Sequence, residues 1–251
     1  ILDNFLEDYF VLFLPRDIVS GDFYWVSRSN DWTFIAVADC TGHGVPGAFM
    51  SMLGISLLNE IIARTMDVDT GKILDELRKL LVHSLGQQMD SSQEDAVRDG
   101  MDISLCAINY KKNELLFSGA NNPIYVTSSN EIMQDNGTIL HEIKADKMPI
   151  GLYEKMDSFS TQSFPLSSLD TIYLMSDGFE DQFGGPKGKK FLSKNLRNNI
   201  EKNIHLPLKK QKEILNSVFE AWKNQPNEVF EQTDDVTLMA FKIKNLNIIN
   251  R

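Results

Sequence analysis

At four points along the sequence a carboxylate sits where a strand-like run begins or ends. Asp22 lies in Ser20-Gly21-Asp22, Asp39 follows the run 34–38, Asp177 lies in Ser176-Asp177-Gly178 after the run 171–175, and Asp234-Asp235 precede Val236. Aspartate is a poor strand former, and each one taken alone is explained by turn-making or helix capping. Together they have a second reading. If neighbouring strands bring these ends to one place, the crowded carboxylates repel one another and hold protons tightly unless a cation neutralises them. Mg²⁺ and Mn²⁺ meet that need, since they take oxygen ligands in octahedral geometry and retain waters. Two such ions about 4 Å apart, sharing a carboxylate, acidify water and clamp a phosphoryl oxygen during in-line attack. Hydrolysis of a phosphate ester is the reaction class this donor set suits best.

Between Asp39 and a long apolar stretch runs Asp39-Cys40-Thr41-Gly42-His43-Gly44-Val45-Pro46-Gly47-Ala48. Its glycines let backbone groups approach a ligand closely, and Pro46 suits the first turn of a helix. A helix N-terminus there presents free N–H groups and a positive dipole end to the acidic cluster or to a phosphate. A glycine-rich strand-to-helix turn with His43 on the surface explains the same residues equally well.

The elements that must position these groups are legible from periodicity. Aromatic and β-branched runs at 10–14, 23–27 and 34–38 read as strands, as do 102–110, 115–119, 124–127, 140–144, 158–164, 171–175 and 236–243. Pro46 opens a helical stretch to about Met66 whose polar stripe is thin (Ser56, Asn59, Glu60, Arg64), so it is expected to be mostly buried. A second helix over about 72–88 is amphipathic, with Ile73, Leu77, Leu80, Leu81 and Leu85 on one face. A polar loop covers 89–100, and a helical insert is clearest at 208–222, where Gln211 interrupts the apolar face. Strands in consecutive runs with two separate helical regions indicate an α+β fold with helices covering sheets.

Composition bounds the partners. The 251 residues carry 25 Lys+Arg against 35 Asp+Glu, a formal charge of −10. That balance argues against the broad basic surface a nucleic-acid backbone requires. The acidity is polarised: residues 1–110 hold 17 acids and 7 bases, and the remainder holds 18 of each. Within that remainder, 187–212 carries nine bases against Glu201 alone. No uninterrupted apolar run approaches the roughly 18 residues of a spanning helix, and no membrane contact by this domain is expected. Two cysteines, Cys40 and Cys106, are too few for a disulfide framework or a thiolate zinc site. The chain opens at Ile1 without an initiator Met, and residues 1–9 read as the end of an upstream helix or linker, so a domain cut from a longer protein is expected.

Four segments in order resemble a known family: Ser20-Gly21-Asp22-Phe23-Tyr24-Trp25, Asp39 through Ala48, Ser176-Asp177-Gly178-Phe179-Glu180-Asp181, and Asp234-Asp235-Val236-Thr237-Leu238. They are similar to the PPM, or protein phosphatase 2C-like, superfamily, in the branch of the stage II sporulation protein E phosphatase domain and the regulators of sigma-B. Asn121-Asn122-Pro123 resembles that branch's segment after a central strand. The resemblance implies a four-layer α-β-β-α sandwich of two antiparallel sheets over 10–245, with a short tail at 246–251. It also implies a serine/threonine phosphoprotein phosphatase using two Mn²⁺ or Mg²⁺ ions, with room for a weaker third. On that resemblance Asp39 bridges both metals and the backbone carbonyl of Cys40 is a further ligand. Asp22 serves the second metal, and Asp177 with Asp234 completes the first, Asp234 being preferred to Asp235 as the first residue of its motif.

The same resemblance makes Asp22 and Asp39 catalytic through the water they help to activate. It offers His43 as an acid, although eukaryotic members place theirs two residues after the bridging Asp rather than four. Arg16 is the nearby candidate for a phosphate-holding arginine, and Lys187, Lys189 and Lys190 are candidates for docking an acidic phosphoprotein. Implied partners are a phosphorylated regulatory protein of the anti-sigma-factor antagonist kind and an upstream sensor or receiver. A homodimer stays open, and the expected location is the cytoplasm, free or as part of a membrane-anchored sensor. The competing readings are an inactive binding module of the same fold and another two-metal phosphoryl-transfer enzyme such as a nucleotidyl cyclase. The first is disfavoured because no ligand Asp is missing, the second because there is no Gly-Lys-Ser/Thr loop.

Overall fold

Residues 34–38 alternate between two faces, Phe34, Ala36 and Ala38 on one and Ile35 and Val37 on the other, and all five are buried. A strand that is apolar on both faces must be covered on both. The computed structural model, which describes residues 6, 8–87, 99–128, 140–154, 156–226 and 228–243, provides both covers. Two five-stranded antiparallel sheets lie face to face. One runs in the order β1 (Tyr9–Leu14), β14 (Val236–Lys242), β9 (Thr171–Met175), β6 (Ile124–Thr127), β7 (Leu140–Ile143). The other runs β2 (Phe23–Ser29), β3 (Trp32–Cys40), β4 (Met101–Asn109), β5 (Glu114–Ala120), β8 (Gln162–Pro165).

Three apolar layers hold this together. Ile35 and Val37 meet Cys106, Phe117, Val126, Leu174 and Phe241 between the sheets. Phe34 and Ala36, on the opposite face of β3, pack under α1 (Gly44–Arg64) and α2 (Thr70–Ser84), whose Leu58, Ile61, Leu74, Leu77 and Leu81 are buried there. On the far side Phe10, Leu12, Tyr173 and Leu238 lie under α3 (Gly178–Asp181), α4 (Ser193–Asn203) and α5 (Leu208–Lys223). The architecture is the expected α-β-β-α sandwich. Two small hairpins complete it among the described residues: β10 (Phe183–Gly184) with β11 (Lys189–Lys190), and β12 (Asn224–Gln225) with β13 (Glu228–Val229).

Sequence and structure differ in three places. The strand expected at 158–164 is confined to Gln162–Pro165. Gln211, the interruption in the apolar face of α5, is buried because it answers Tyr173: Tyr173 Oη donates to Gln211 Oε1 at 2.8 Å, and Gln211 Nε2 donates to the carbonyl of Leu206 at 2.9 Å. The third difference is α1, which is not mostly buried. Its inner face carries Met50, Gly54, Leu57, Leu58, Ile61 and Ile62, but Val45, Phe49 and Met52 are 62%, 67% and 68% exposed. By length and composition α1 could cross a membrane; its inner face instead covers the sheet. The expectations for residues 1–5 and 7, for most of the 89–100 loop and for the 246–251 tail fall outside the described residues.

Candidate active site

The antiparallel registers decide where the aspartates meet. Phe23 pairs with Ala38 and Asp39 with Asp102, so the start of β2, the end of β3 and the start of β4 share one end of their sheet. Leu14 pairs with Val236 and Leu238 with Met175, so the ends of β1 and β9 and the start of β14 share one end of the other. These two ends coincide. Ser176 Oγ donates to Asp22 Oδ2 across the sheets at 2.5 Å and accepts from the Thr237 N–H at 2.9 Å.

Backbone packing fixes the turns around this junction. Asp235, 2% exposed, accepts from the Arg16 N–H and the Gly21 N–H, both at 2.7 Å. Position 178 must be glycine, because a Cβ there would lie 1.9 Å from the Asp235 carbonyl oxygen. Likewise a Cβ at Gly47 would lie 2.3 Å from the Gly42 carbonyl oxygen, so the Asp39–His43 turn folds tightly onto the first turn of α1. Pro46 falls at the third helical position of α1, where its missing N–H leaves no bond unmade.

Asp39, Cys40, Asp177 and Asp234 line one cavity of about 510 Å³, with His43, Asp102 and Tyr153 at its walls and no Lys or Arg among its lining residues. Asp22 lies behind it, 3% exposed. Burial raises the Asp22, Asp39 and Asp177 carboxyls above the ordinary carboxylate range. The charges of Asp235 and Asp234 add to the rise at Asp22, those of Asp22 and Asp177 to that at Asp39, and those of Asp181 and Asp234 to that at Asp177. Asp39 is hydrogen-bonded to Asp177, which favours the proton on Asp39. Crowded like charges of this kind are an electrostatic reason for a cation.

Among the described residues no three His, Cys, Asp or Glu side chains converge as they stand on a single ion position. Asp22 faces Ser176, Asp39 faces Asp177, and Asp234 accepts from the Asp235 N–H at 2.8 Å. As they stand, these carboxylates are engaged with partners of the chain itself. The donor set fits a hard divalent ion in kind: carboxylates from two sheets and a backbone carbonyl at Cys40, with oxygen as the donor atom throughout. Burial and the neighbouring carboxylates push the Cys40 thiol well up, so its sulfur stays protonated.

Of the residues singled out from sequence, the structure brings together Asp22, Asp39, Cys40, Asp177 and Asp234, with His43 on the same cavity wall. His43 Nδ1 lies 2.8 Å from Asp17 Oδ2; since a carboxylate accepts, Nδ1 carries the hydrogen and Nε2 is left for another partner. Arg16 lies apart from the cavity lining. Its guanidinium Nη1 donates to the Thr233 carbonyl at 2.9 Å, which ties it to the turn before β14. Lys187 lies in the connection of the β10–β11 hairpin, and Lys189 and Lys190 form β11; none lines the cavity. Lys190 Nζ is held by Asp181 Oδ2 at 2.6 Å.

The sequence reading missed Asp102. It faces Asp39 across the β3–β4 ladder, accepts from Asn121 Nδ2 at 2.9 Å, and burial raises its carboxyl to about 6. Its signal was the one used for the others, an Asp at the start of a strand. Ser176, Asp17 and Asp235 were missed as positioning groups because their partners are remote in sequence.

A family model described as Stage II sporulation protein E (SpoIIE) matches residues 29–244. Among solved structures, the SiaA-PP2C domain of Pseudomonas aeruginosa is 29% identical over 97% of this chain and 88% of its own, with a TM-score of 0.78. The phosphatase domain of SpoIIE from Bacillus subtilis, solved with a fragment of its regulatory domain, is 17% identical over 94% of this chain and 63% of its own (TM-score 0.65). RsbX in complex with magnesium is 12% identical over 94% of each chain (TM-score 0.59). No curated protein matches the sequence.

Proposed function

The chain belongs to the SpoIIE family of PP2C-type phosphatase domains, and from that premise we propose that it hydrolyses phosphoserine or phosphothreonine on a regulatory protein in a divalent-metal-dependent reaction. The observation that carries this reading is the convergence of Asp22, Asp39, Asp177 and Asp234 from two sheets onto one end of the sandwich. Asp22, Asp39, Asp177, Asp234 and the Cys40 backbone carbonyl would hold the ions. RsbX has been solved with magnesium, which supports a divalent ion. Mn²⁺ or Mg²⁺ bound there would acidify the attacking water and offset charge on the phosphoryl oxygens.

This chain's own groups supply the rest. Ser176 fixes Asp22, and Asp235 anchors the loop that carries it. Asp17 orients His43 so that Nε2, when protonated, can give its proton to the departing seryl oxygen. The substrate we favour is an anti-sigma-factor antagonist, and the control is an upstream sensor or receiver acting on a cytoplasmic phosphatase unit. The SpoIIE structure, a phosphatase domain solved with part of a regulatory domain, supports that arrangement by analogy.

The test is hydrolysis of p-nitrophenyl phosphate with Mn²⁺ by the wild type, Asp39→Asn and Asp177→Asn. Activity should need the metal and fall at least a hundredfold in both variants. Activity that survives chelation or both substitutions defeats the metallophosphatase reading.

A further inference from the structure

Among the described residues the outer face of α1 has no partner. Val45, Phe49 and Met52 are spaced i, i+4, i+7 and so form one stripe, opposite the buried Gly47, Met50, Gly54 and Leu58. The 17–21 loop, which packs against the buried Gly47 and Ser51, exposes Ile18 fully and Val19 at 39%. That the loop lies along the first turns of α1 follows from three contacts. Asp17 Oδ2 meets His43 Nδ1 at 2.8 Å, Ser51 Oγ donates to the Ser20 carbonyl at 3.1 Å, and a Cβ at Gly21 would lie 3.4 Å from Gly47 Cα. Three large apolar side chains of α1 are thus aligned outside the core, and exposed clusters of this kind mark contact surfaces.

The place of the patch identifies its occupant. Val45 is two residues from His43, which lines the cavity, so the stripe starts at the cavity rim. A phosphoserine side chain is short, so for its phosphorus to reach the carboxylates the bearing backbone must descend to that rim and its flanks must lie on the surface beside it. From Val45 to Met52 the helix rises about 10 Å, a distance that an extended peptide crosses in about three residues. The surface is also uncharged: no Asp, Glu, Lys or Arg occurs from Gly44 to Asn59.

Resting on the phosphatase reading above, we propose that the outer stripe of α1 forms a docking surface for an apolar, uncharged segment of the phosphoprotein substrate, immediately flanking the phosphoserine. This gives the site a specificity that its carboxylates cannot. Metal-bound phosphate is recognised alike on any ester, whereas burial of Phe49 and Met52 rewards only a substrate with apolar flanks.

The experiment compares three substrates: p-nitrophenyl phosphate and two synthetic phosphoserine peptides of equal length and net charge. One peptide carries leucine and valine at the three positions on each side of the phosphoserine, the other serine and glycine. The wild type should show a roughly tenfold or greater preference in kcat/KM for the apolar peptide, and Phe49→Gln with Met52→Gln should abolish it. p-Nitrophenyl phosphate turnover should stay unchanged, which also reports that the variant is folded. Equal turnover of the two peptides by the wild type, or a preference that survives the substitutions, overturns the docking surface while leaving the phosphatase reading intact. Absence of metal-dependent p-nitrophenyl phosphate hydrolysis by the wild type defeats the phosphatase reading itself. If the substitutions instead convert a dimer to a monomer on gel filtration, or abolish co-sedimentation with anionic phospholipid vesicles, with the peptide preference unchanged, the patch is a self-interface or a membrane contact and the proposal fails.

Discussion

Replacing Asp39 by Asn sets the stability of the fold against the chemistry of the site. Asp39 is held well above the ordinary carboxyl value of 3.8, chiefly by burial and then by the charges of Asp22 and Asp177. The folded state therefore binds a proton that the unfolded state has released by neutral pH. Stability falls with pH wherever the folded state holds more protons, so in chelated protein it should decline from about pH 4 upward and level off only above the raised folded value. A carboxyl kept protonated at pH 7 forgoes 1.36 kcal/mol per unit above 3.8, roughly 4 kcal/mol at most. The proton is partly shared with Asp177, so about 2–4 kcal/mol is the expected gain when Asn removes this penalty. Its amide N–H can still donate to Asp177. Urea unfolding with EDTA at pH 5, 7 and 8 measures this directly. Asp39→Asn should be more stable than wild type at pH 7 and 8, the difference should shrink at pH 5, and its metal-dependent activity should be lost. A wild type whose stability is flat or rises from pH 5 to 8, or a variant no more stable at pH 8, would show that the cluster does not carry the electrostatic strain assigned to it.

Three further outcomes follow from individual contacts. Gly178→Ala forces a Cβ against the Asp235 carbonyl, and should cost at least about 3 kcal/mol in thermal or urea unfolding, since backbone must move; a loss below 1 kcal/mol would contradict the close approach. Gln211→Leu strands the Tyr173 hydroxyl and the Leu206 carbonyl, costing about 1–3 kcal/mol, with kcat per folded molecule unchanged because the pair lies under α5. His43→Gln should slow a phosphoserine peptide by about a hundredfold while sparing p-nitrophenyl phosphate, whose leaving group departs without a proton, and Asp17→Asn should show a smaller effect in the same direction; equal losses on both substrates would remove the proton-donor role.

The sequence by itself determined the layers. The apolar run 34–38 and the single apolar face of the 72–88 segment called for helices covering sheets, and the four aspartate motifs each fell at the terminus of a strand-like run. It also marked Asp234 over Asp235, through the motif rather than through packing. Which terminus meets which was decided only by the antiparallel registers, because Ser176 and Asp22 are 154 residues apart and no local pattern encodes their contact. The same registers set Asp102 opposite Asp39, turned Asp235 inward to hold the Gly21 loop, and left Arg16 on the Thr233 carbonyl rather than at the cavity. The exposure of Phe49 and Met52 was likewise beyond the sequence. An apolar helix can bury only the stripe that finds a neighbour, and the sheet beneath α1 offers one face; what covers the other is a matter of tertiary geometry and of the partner that the surface awaits.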